Sequence, residues 1–491
     1  MTAVIARART AQALWAAVPY RERARRMRKA GARLFDRLDE IIAAIHDDNG
    51  KLPIDALAAE LLPAFMALRY YIRRGRRFMK SRSLGMGSLL MFNKKSRMIY
   101  RPWGVVGIIS PWNFPFAIPF SEIVMALLAG NAVLFKTAAI TGKVGGALAA
   151  LFSDAGLPPG LFNHIVMSGK EAGPAFIGTP EAPGVDKLFF TGSTATGREL
   201  MALAASRLLP LVLELGGADA AIIRADADLD RAAAGIVWAG FSNCGQACGG
   251  VQRVIVDRAV YQALLDKLCA LVTKLRPGID LGPMTSLKQK EAVRAQINAC
   301  VRAGARIAAR SEGDFEGESL SMPAMVLDGC APGMPVWDEE IFGPVTAVIP
   351  ASGDEEALAL ANSSPYGLSA SVWSRNRAAA GRLAARVRAG AVMINDHLMS
   401  HGLPETPWGG FGYSGLGRTH GEAGFMEMLR GQAVVDDILP AVKRNIFWHP
   451  YSDQVYAGLR ALTQLLAGGM GGRLAALPRV IRIFLRYWSA G

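Results

Sequence analysis

Short, mainly apolar runs recur along the first half of the chain, and segments with helical periodicity separate them. The runs lie at residues 104–109, 132–135, 163–166 and 187–190. Runs without polar alternation are typical of parallel strands buried on both faces. Helices predicted at residues 122–129 and 145–152 fill intervals between them. This alternation predicts a doubly wound α/β sheet.

A second alternation of the same kind begins after residue 215. Its predicted strands are residues 220–223, 253–256, 345–349 and 391–395, and its first predicted helix is 231–240. The pattern predicts two α/β domains, one formed by residues 1–80 and 101–215 and the other by 216–424. Residues 81–100 and 425–440 are predicted to be excursions from both, and residues 441–491 form a C-terminal extension.

Composition narrows the class of protein. The 491 residues, 51% of them hydrophobic, suffice for two or three domains with sizeable cores. Five cysteines, an odd number in a long chain, favour a reducing compartment, and no signal peptide or spanning segment is read, so a cytoplasmic location is predicted. The net charge is +14, but no nucleic-acid-binding signature accompanies it, so nucleic acid is not predicted as a partner.

Three side chains supply the parts for covalent chemistry at a carbonyl carbon. Cys248 ends an Asn-Cys-Gly-Gln-Ala-Cys loop, Glu214 lies in a Leu-Glu-Leu-Gly-Gly stretch, and Asn113 lies in a Pro-Trp-Asn-Phe-Pro motif. A thiol can attack, a carboxylate can act as base and an amide can donate to an oxyanion. Taken singly, each is also compatible with a structural thiol, a capping or surface carboxylate, or a turn residue. Cys244 is interpreted as packing in the same loop or as a disulfide partner of Cys248.

A turn rich in Gly, Ser and Thr at residues 191–197 follows the fourth predicted strand and opens a helix. Backbone amides at such a helix start can hold a pyrophosphate. The turn lacks the Gly-x-Gly-x-x-Gly fingerprint, so its spacing alone leaves nucleotide binding and an ordinary tight turn both open.

Together these motifs resemble the aldehyde dehydrogenase superfamily over about residues 20–435. The resemblance rests also on Lys136, on residues 340–345 and on a late stretch at 409–418. It implies a Rossmann-like cofactor-binding domain (1–80 and 101–215), a catalytic domain (216–424), oligomerisation segments (81–100 and 425–440), a homodimer or homotetramer, and NAD or NADP as cofactor.

The resemblance also assigns roles. Cys248 attacks the aldehyde, the Asn113 amide and the Cys248 backbone N–H hold the oxyanion, and Glu214 activates the water that hydrolyses the thioester. The residues implied for the cofactor are Trp112, Lys136, Gly192, Ser193, Gly197, Leu215, Glu340 and Phe342. The alternatives are a CoA-acylating enzyme, which needs no water-activating Glu, and an inactive scaffold of the same fold.

One position departs from the family pattern at the ribose site. The chain reads Lys136-Thr137-Ala138-Ala139, where the family often has a carboxylate at the fourth position. Without a carboxylate at 139 nothing there repels a 2′-phosphate, and the hypothesis is a relaxed preference between NAD and NADP.

Two histidines and the C-terminal residues 441–491 are interpreted from their own sequence context, independently of the family resemblance. His397 and His401 follow a predicted strand and are expected at the substrate mouth or the surface, with no metal site. Residues 441–491 hold seven Lys and Arg against Asp453, an aromatic-rich stretch at 445–451, and Arg479, Arg482 and Arg486 on one helical face. This composition favours a helix in a membrane interface, which would suit lipophilic aldehydes, or one docked on the protein or a partner subunit.

Overall fold

A computed structural model of the chain describes residues 1–87, 91–439 and 447–489. These divide into two compact units. The larger unit comprises Met1–Lys80 and Arg101–Arg430, and the smaller unit comprises Ser81–Tyr100 and Gly431–Gly491.

The helices, in chain order, are α1 (Thr2–Ala17), α2 (Tyr20–Asp36), α3 (Leu38–Asn49), α4 (Pro53–Ala56), α5 (Leu62–Phe78), α6 (Ala117–Ala129), α7 (Gly142–Asp154), α8 (Gly169–Ile177), α9 (Thr194–Ala205), α10 (Leu229–Phe241), α11 (Tyr261–Val272), α12 (Leu287–Arg302), α13 (Pro335–Asp338), α14 (Gly353–Asn362), α15 (Arg377–Ala384), α16 (Met399–Gly402), α17 (Gly421–Glu427), α18 (Asp453–Ala467) and α19 (Met470–Ser489).

The strands, in chain order, are β1 (Arg82–Ser83), β2 (Lys94–Pro102), β3 (Val105–Ile109), β4 (Ala132–Lys136), β5 (Phe162–His164), β6 (Lys187–Thr191), β7 (Leu211–Glu214), β8 (Asp219–Ile223), β9 (Val251–Asp257), β10 (Arg306–Arg310), β11 (Met325–Asp328), β12 (Val345–Ala351), β13 (Ser369–Trp373), β14 (Ala391–Ile394), β15 (Gly415–Leu416) and β16 (Leu429–Asp437).

The first sheet of the larger unit has six strands in the order β15-β7-β6-β3-β4-β5. Its strands pair in parallel except for β15, which is antiparallel to β7. Every residue of β3 and β4 is buried, as their unbroken apolar sequences predict. The chain moves outward from β3 to β5 and then crosses to β6 on the other side of β3. Crevices at such a reversal, at the carboxyl ends of the strands, are where ligands bind in α/β sheets.

The second sheet of the larger unit has seven strands in the order β10-β11-β12-β9-β8-β13-β14. They pair in parallel except for β10 with β11. Consecutive residues of β8 point to opposite faces of the sheet, so Ile222 packs in one hydrophobic core and Ile223 in the other. Both predicted α/β patterns therefore correspond to mainly parallel sheets.

Helix α6 is longer than its sequence pattern predicts. The predicted helix covers residues 122–129, whereas the observed helix begins at Ala117 and is buried throughout. A residue far away in the sequence caps its first backbone amides. Glu60 Oε2 accepts hydrogen bonds from Phe116 N (2.7 Å) and Ala117 N (3.1 Å). A cap from so far along the chain leaves no local signal in the sequence, which explains the difference.

Between α4 and α5 the chain makes one π-helical turn, Leu57–Leu61. Within it Glu60 is fully buried while Leu57 is exposed. Single π turns are rare and occur preferentially at functional sites. This segment, residues 51–66, forms part of the site described below.

The smaller unit contains a three-stranded sheet, β1-β2-β16, and a pair of packed helices, α18 and α19. Ala461, Leu462, Ala476 and Val480 form the buried seam between these two helices. Among the described residues, no helix is both long enough and apolar enough to cross a membrane. Of the aromatic-rich stretch at 445–451, residues 445 and 446 lie outside the described part of the chain, as does the side chain of Arg486.

Candidate active site

The carboxyl ends of neighbouring strands bring the predicted residues of the first sheet together. Asn113 follows β3, Lys136 ends β4, Ser193 follows β6 and Glu214 ends β7. Because β7, β6, β3 and β4 are adjacent and parallel, these four side chains emerge at one edge of the sheet. The structure thus collects residues that lie up to a hundred positions apart in the sequence.

Cys248 lies in the loop between α10 and β9, which has unusual backbone geometry. Asn243 and Cys244 have positive φ angles of 52° and 56°, and Gly245 follows with 67°. Non-glycine residues in this left-handed region are uncommon and need surrounding structure to hold them. Gln246 supplies some of it, since its Nε2 donates to Pro283 O (3.2 Å) and its Oε1 accepts from Thr285 N (2.9 Å).

Hydrogen bonds connect this loop directly to Asn113. The Asn113 Nδ2 donates to Gln246 O (3.0 Å), and Asn243 Nδ2 donates to both Gln246 O (3.1 Å) and Asn113 O (3.2 Å). A primary amide carries two N–H groups, so one remains on Asn113 after the bond to Gln246. The loop that carries the thiol and the loop that carries the amide therefore form one hydrogen-bonded structure.

Glu214 is a buried carboxyl group with unsatisfied oxygens. It is 5% exposed, and in the described part of the chain neither Oε1 nor Oε2 has a hydrogen-bond partner. Burial raises the pKa of Glu214 well above its usual value, the nearby carboxyl of Glu122 raises it further, and Arg418 partly offsets both. Such a group takes up and releases protons nearer to neutral pH than an ordinary carboxylate does.

Glu122 was not singled out from the sequence, although it is the one acidic residue in helix α6. It is 2% exposed, and burial raises its pKa to about 8. The sequence shows an isolated charge within an apolar helix, which is the signal that could have drawn attention to it.

The Cys248 thiol lies among acidic groups. Burial raises its pKa, and the carboxyls of Glu340, Asp219 and Glu214 raise it further. Each of these causes favours the protonated thiol, and attack by sulfur is helped by a base that takes the proton. Cys244 is fully buried and contacts Met284, with 3.7 Å between the two sulfurs.

A cavity of about 180 Å³ opens onto Cys248. Its walls are mainly apolar, and the larger side chains are contributed by α5, α10, the 111–115 loop and the segment at α16. These are Leu62, Met66, Phe114, Trp238, Met399 and Leu403. Asp55 and His401 are its ionisable wall residues besides the thiol, and no Lys or Arg is among the described residues that line it.

The two histidines expected at the mouth or surface differ from each other. His401 lines the cavity, with its ring edge-on to Trp408 at 5.1 Å and 4.6 Å from the ring of His420. For His397 the expectation is wrong, because it is fully buried and its ring nitrogens contact Ser371 Oγ (2.8 Å) and Gly249 O (3.1 Å). It supports the cysteine loop from inside.

The residues expected to hold a nucleotide lie at the start of α9 and at the end of β4. Ser193 is the N-cap of α9 and accepts from Thr196 N (3.3 Å), so the first amides of a twelve-residue helix lie beside it. At Gly197 a β-carbon would approach Leu215 Cδ2 to 2.7 Å, so a larger residue there would require the Leu215 side chain to move. Lys136 is 5% exposed, and it has no ion-pair partner in the described ranges. These features fit a dinucleotide with its pyrophosphate at α9.

Glu340 and Phe342, expected near the nicotinamide, precede β12 of the second sheet, whereas Trp112 follows β3 of the first. Glu340 Oε1 accepts a hydrogen bond from Gly217 N (3.0 Å), and burial raises the pKa of Glu340 to about 7. The Phe342 and Trp112 rings pack edge to face with 5.5 Å between centroids. Ala139 is exposed at the start of a short turn after β4, and offers no carboxylate.

Comparison with known proteins gives a consistent result. The sequence profile described as the aldehyde dehydrogenase family matches residues 1–434. A 4,4'-diapolycopene aldehyde oxidase from Methylomonas sp is 34% identical over 468 residues, covering 94% of this chain and 86% of that protein. A putative succinate-semialdehyde dehydrogenase [NADP(+)] 2 from Mycobacterium ulcerans (strain Agy99) is 33% identical, covering 88% and 83%.

Among solved structures, the NAD-dependent aldehyde dehydrogenase from Sinorhizobium meliloti superposes with a TM-score of 0.83 at 32% identity, covering 92% of this chain and 87% of that one. The relatives include proteins named for NAD and for NADP. The chain belongs to the aldehyde dehydrogenase family and is an oxidoreductase that acts on the aldehyde group with NAD or NADP as acceptor.

Proposed function

We propose that this enzyme oxidises an apolar aldehyde to a carboxylic acid through a thioester on Cys248. The observation that carries the proposal is the cavity that ends at Cys248, whose walls are apolar and carry no cationic side chain among the described residues. An aldehyde whose far end is a carboxylate would lose hydration there without gaining an ion pair, and it would face Asp55. An apolar chain would gain by burial.

The proposed chemistry begins at the sulfur. As Cys248 Sγ bonds to the carbonyl carbon, the thiol proton passes to the Glu214 carboxylate, which then releases it to solvent, and the carbonyl oxygen becomes an oxyanion. The free N–H of Asn113 and the backbone N–H of Cys248 donate to that oxygen, a contribution worth roughly 10²–10³ in rate for each donor. NAD or NADP, when bound, supplies the acceptor for the hydride lost from this carbon, which leaves a thioester on Cys248.

Glu214 is proposed as the base for hydrolysis. Its carboxylate takes a proton from water as the water oxygen adds to the thioester carbon. The carbon–sulfur bond then breaks, the carboxylic acid leaves, and the proton held by Glu214 returns to the Cys248 sulfur. Proton transfer is most effective when the pKa of the base lies near the working pH, and burial shifts the pKa of Glu214 upward, in that direction from its ordinary value. A CoA-acylating enzyme would not need such a group.

A substrate panel tests the apolar cavity. We expect kcat/KM for octanal and decanal to exceed that for succinate semialdehyde by about 10²-fold or more, because no cation meets the carboxylate. Met66→Arg places a cation in the cavity wall and should raise activity on succinate semialdehyde while lowering that on decanal. Met201→Arg makes the same change on α9, away from the cavity, and should alter neither.

Two results would contradict the proposal. One is a wild-type preference for succinate semialdehyde. The other is continued NADH or NADPH production after Cys248→Ala, which would exclude the thioester. Release of an acyl-CoA only when CoA is added would favour the acylating alternative.

We also propose that the α18–α19 pair binds an anionic membrane surface, where lipophilic aldehydes partition. Large apolar side chains on these helices are exposed, Met470 by 84% and Leu474 by 70%. Arg460, Arg473, Arg479 and Arg482 are exposed on the same helices, and Asp453 is the one acidic residue from 441 to 491. Apolar anchors surrounded by cations are typical of helices that lie in a lipid interface.

Vesicle flotation of the full-length enzyme tests this surface. Met470→Glu and Leu474→Glu should each reduce binding to phosphatidylserine-containing vesicles, whereas Leu14→Glu, on the exposed side of α1, should not. Binding that is unchanged by both tail substitutions and by deletion of residues 441–491 would contradict the proposal. Sedimentation of the same proteins shows whether the helices instead join subunits in the predicted homodimer or homotetramer.

A further inference from the structure

A fully buried ion pair lies directly behind the Asn113 loop. The side chains of Lys51 and Glu60 are each 0% exposed, and Lys51 Nζ donates to Glu60 Oε1. The same ammonium donates to the backbone oxygen of Asn113 at 2.7 Å. The other carboxylate oxygen, Glu60 Oε2, accepts from Phe116 N and Ala117 N. The pair therefore holds residues 113–117 at both ends.

Thermodynamic stability does not account well for this pair. Removing two charges from water is costly, and buried ion pairs can often be replaced by apolar residues without loss of stability. Burial lowers the pKa of Lys51, with Glu60 opposing the shift. Outside the pair, these side-chain hydrogen bonds go to Asn113 O, Phe116 N and Ala117 N. These groups belong to the loop that carries the Asn113 amide and to the start of α6.

The pair also completes the hydrogen bonding of the cysteine loop. Asn113 O accepts from Lys51 Nζ and from Asn243 Nδ2, while the Asn113 side chain donates to Gln246 O. A fourth bond, from Asn49 Nδ2 to Trp112 O (3.0 Å), fixes the preceding residue. These bonds leave the Asn113 backbone little freedom, and together with the side chain's own bond to Gln246 O they set the direction of its second N–H.

We propose that Lys51 and Glu60 are positioning residues for the oxyanion donor Asn113, and this inference rests on the proposed thioester chemistry. Neither residue touches substrate; their effect passes through Asn113. A donor aimed at the transition-state oxygen is effective only when it is already oriented, and a displacement of about 1 Å can cost on the order of 10² in rate. The pair supplies that orientation.

The test is a cycle of variants in the full-length enzyme. Lys51→Met/Glu60→Gln removes both charges together, so that no unpaired charge stays buried. We expect kcat for aldehyde oxidation to fall about 10- to 100-fold while KM changes less than about threefold, because the interaction forms in the transition state. In the Asn113→Ala background the same double change should cost less than about twofold, because the residue through which it acts is gone.

Lys290→Met is the matched control. Lys290 is also buried, and its ammonium donates to Gly317 O (2.7 Å) and Ser319 O (2.6 Å), away from the site. Its loss should lower the melting temperature without lowering kcat. If the double variant does not fold, Glu60→Asp keeps the charge but withdraws the carboxylate by one methylene, and takes its place in the cycle.

An unchanged kcat in the pair variant would overturn the inference. An equal fold-loss of kcat in the wild-type and Asn113→Ala backgrounds would also overturn it, because the role of Lys51 and Glu60 would then be purely structural. Failure of the proposed function has a different signature, because then the wild-type enzyme lacks aldehyde oxidation or retains it after Cys248→Ala.

Discussion

At the scale of single residues, the absent carboxylate at Ala139 gives a sharp test of cofactor preference. Ala139→Glu should lower the affinity for NADPH by about tenfold or more relative to NADH, because a carboxylate would repel the 2′-phosphate and accept from a ribose hydroxyl. Fluorescence titration of both reduced cofactors measures this directly. A wild-type enzyme that rejects NADP would end the hypothesis of relaxed preference.

The pair of buried carboxyls gives a prediction of pH dependence. Glu214 must be ionised to act as base, so the rate rises as pH increases through its raised pKa. Glu122→Gln removes one cause of that increase, and the acid limb of the kcat–pH profile should move to lower pH. The shift should be partial, because burial is the larger cause. An acid limb that does not move would show that Glu122 has no influence on the base.

At the scale of elements, the cysteine loop depends on one glycine. Gly245 has φ of 67°, and a β-carbon there would lie 2.1 Å from Gly343 O. Gly245→Ala should reduce the free energy of unfolding by about 2–4 kcal/mol, through backbone strain and a clash that no side chain can relieve. Denaturant unfolding of this variant is compared with Gly381→Ala in α15, where nothing lies within 4 Å and alanine should be neutral or stabilising. Equal stability of the two variants would contradict the prediction.

Elements also show how far the sequence alone leads. The runs at 104–109 and 132–135 predicted strands correctly because unbroken apolar sequence is typical of strands that are buried on both faces. The early start of α6, the burial of His397 and the Lys51–Glu60 pair were not predicted. Each depends on a partner many residues away in the sequence, such as Glu60 for α6 and Gly249 for His397. The local pattern of apolar and polar residues carries no information about such partners. The motifs single out Cys248, Glu214 and Asn113 as candidates, but they do not predict the hydrogen bonds between the loops of Asn113 and Cys248.

At the scale of the whole molecule, the charge distribution predicts salt-dependent membrane binding. The net charge of +14 and the exposed arginines of α18 and α19 should make binding to anionic vesicles fall severalfold as NaCl rises from about 0.05 to 0.5 M. Turnover of a short, water-soluble aldehyde should stay within about twofold over the same range at matched pH. Binding that is insensitive to salt, or equal on neutral phosphatidylcholine vesicles, would contradict an electrostatic contribution.

Residues 51–66 serve two purposes at once. Lys51 and Glu60 face the Asn113 loop, whereas Asp55, Leu62 and Met66 of the same segment line the cavity. The π turn Leu57–Leu61 lies within this segment. Selection for a wider channel on this wall would therefore tend to disturb the oxyanion donor, and new substrates would be gained at reduced turnover. Trp238 and Met399 line the cavity from α10 and α16, which do not contact Asn113 in these hydrogen bonds, so changes there should alter substrate range while leaving turnover intact.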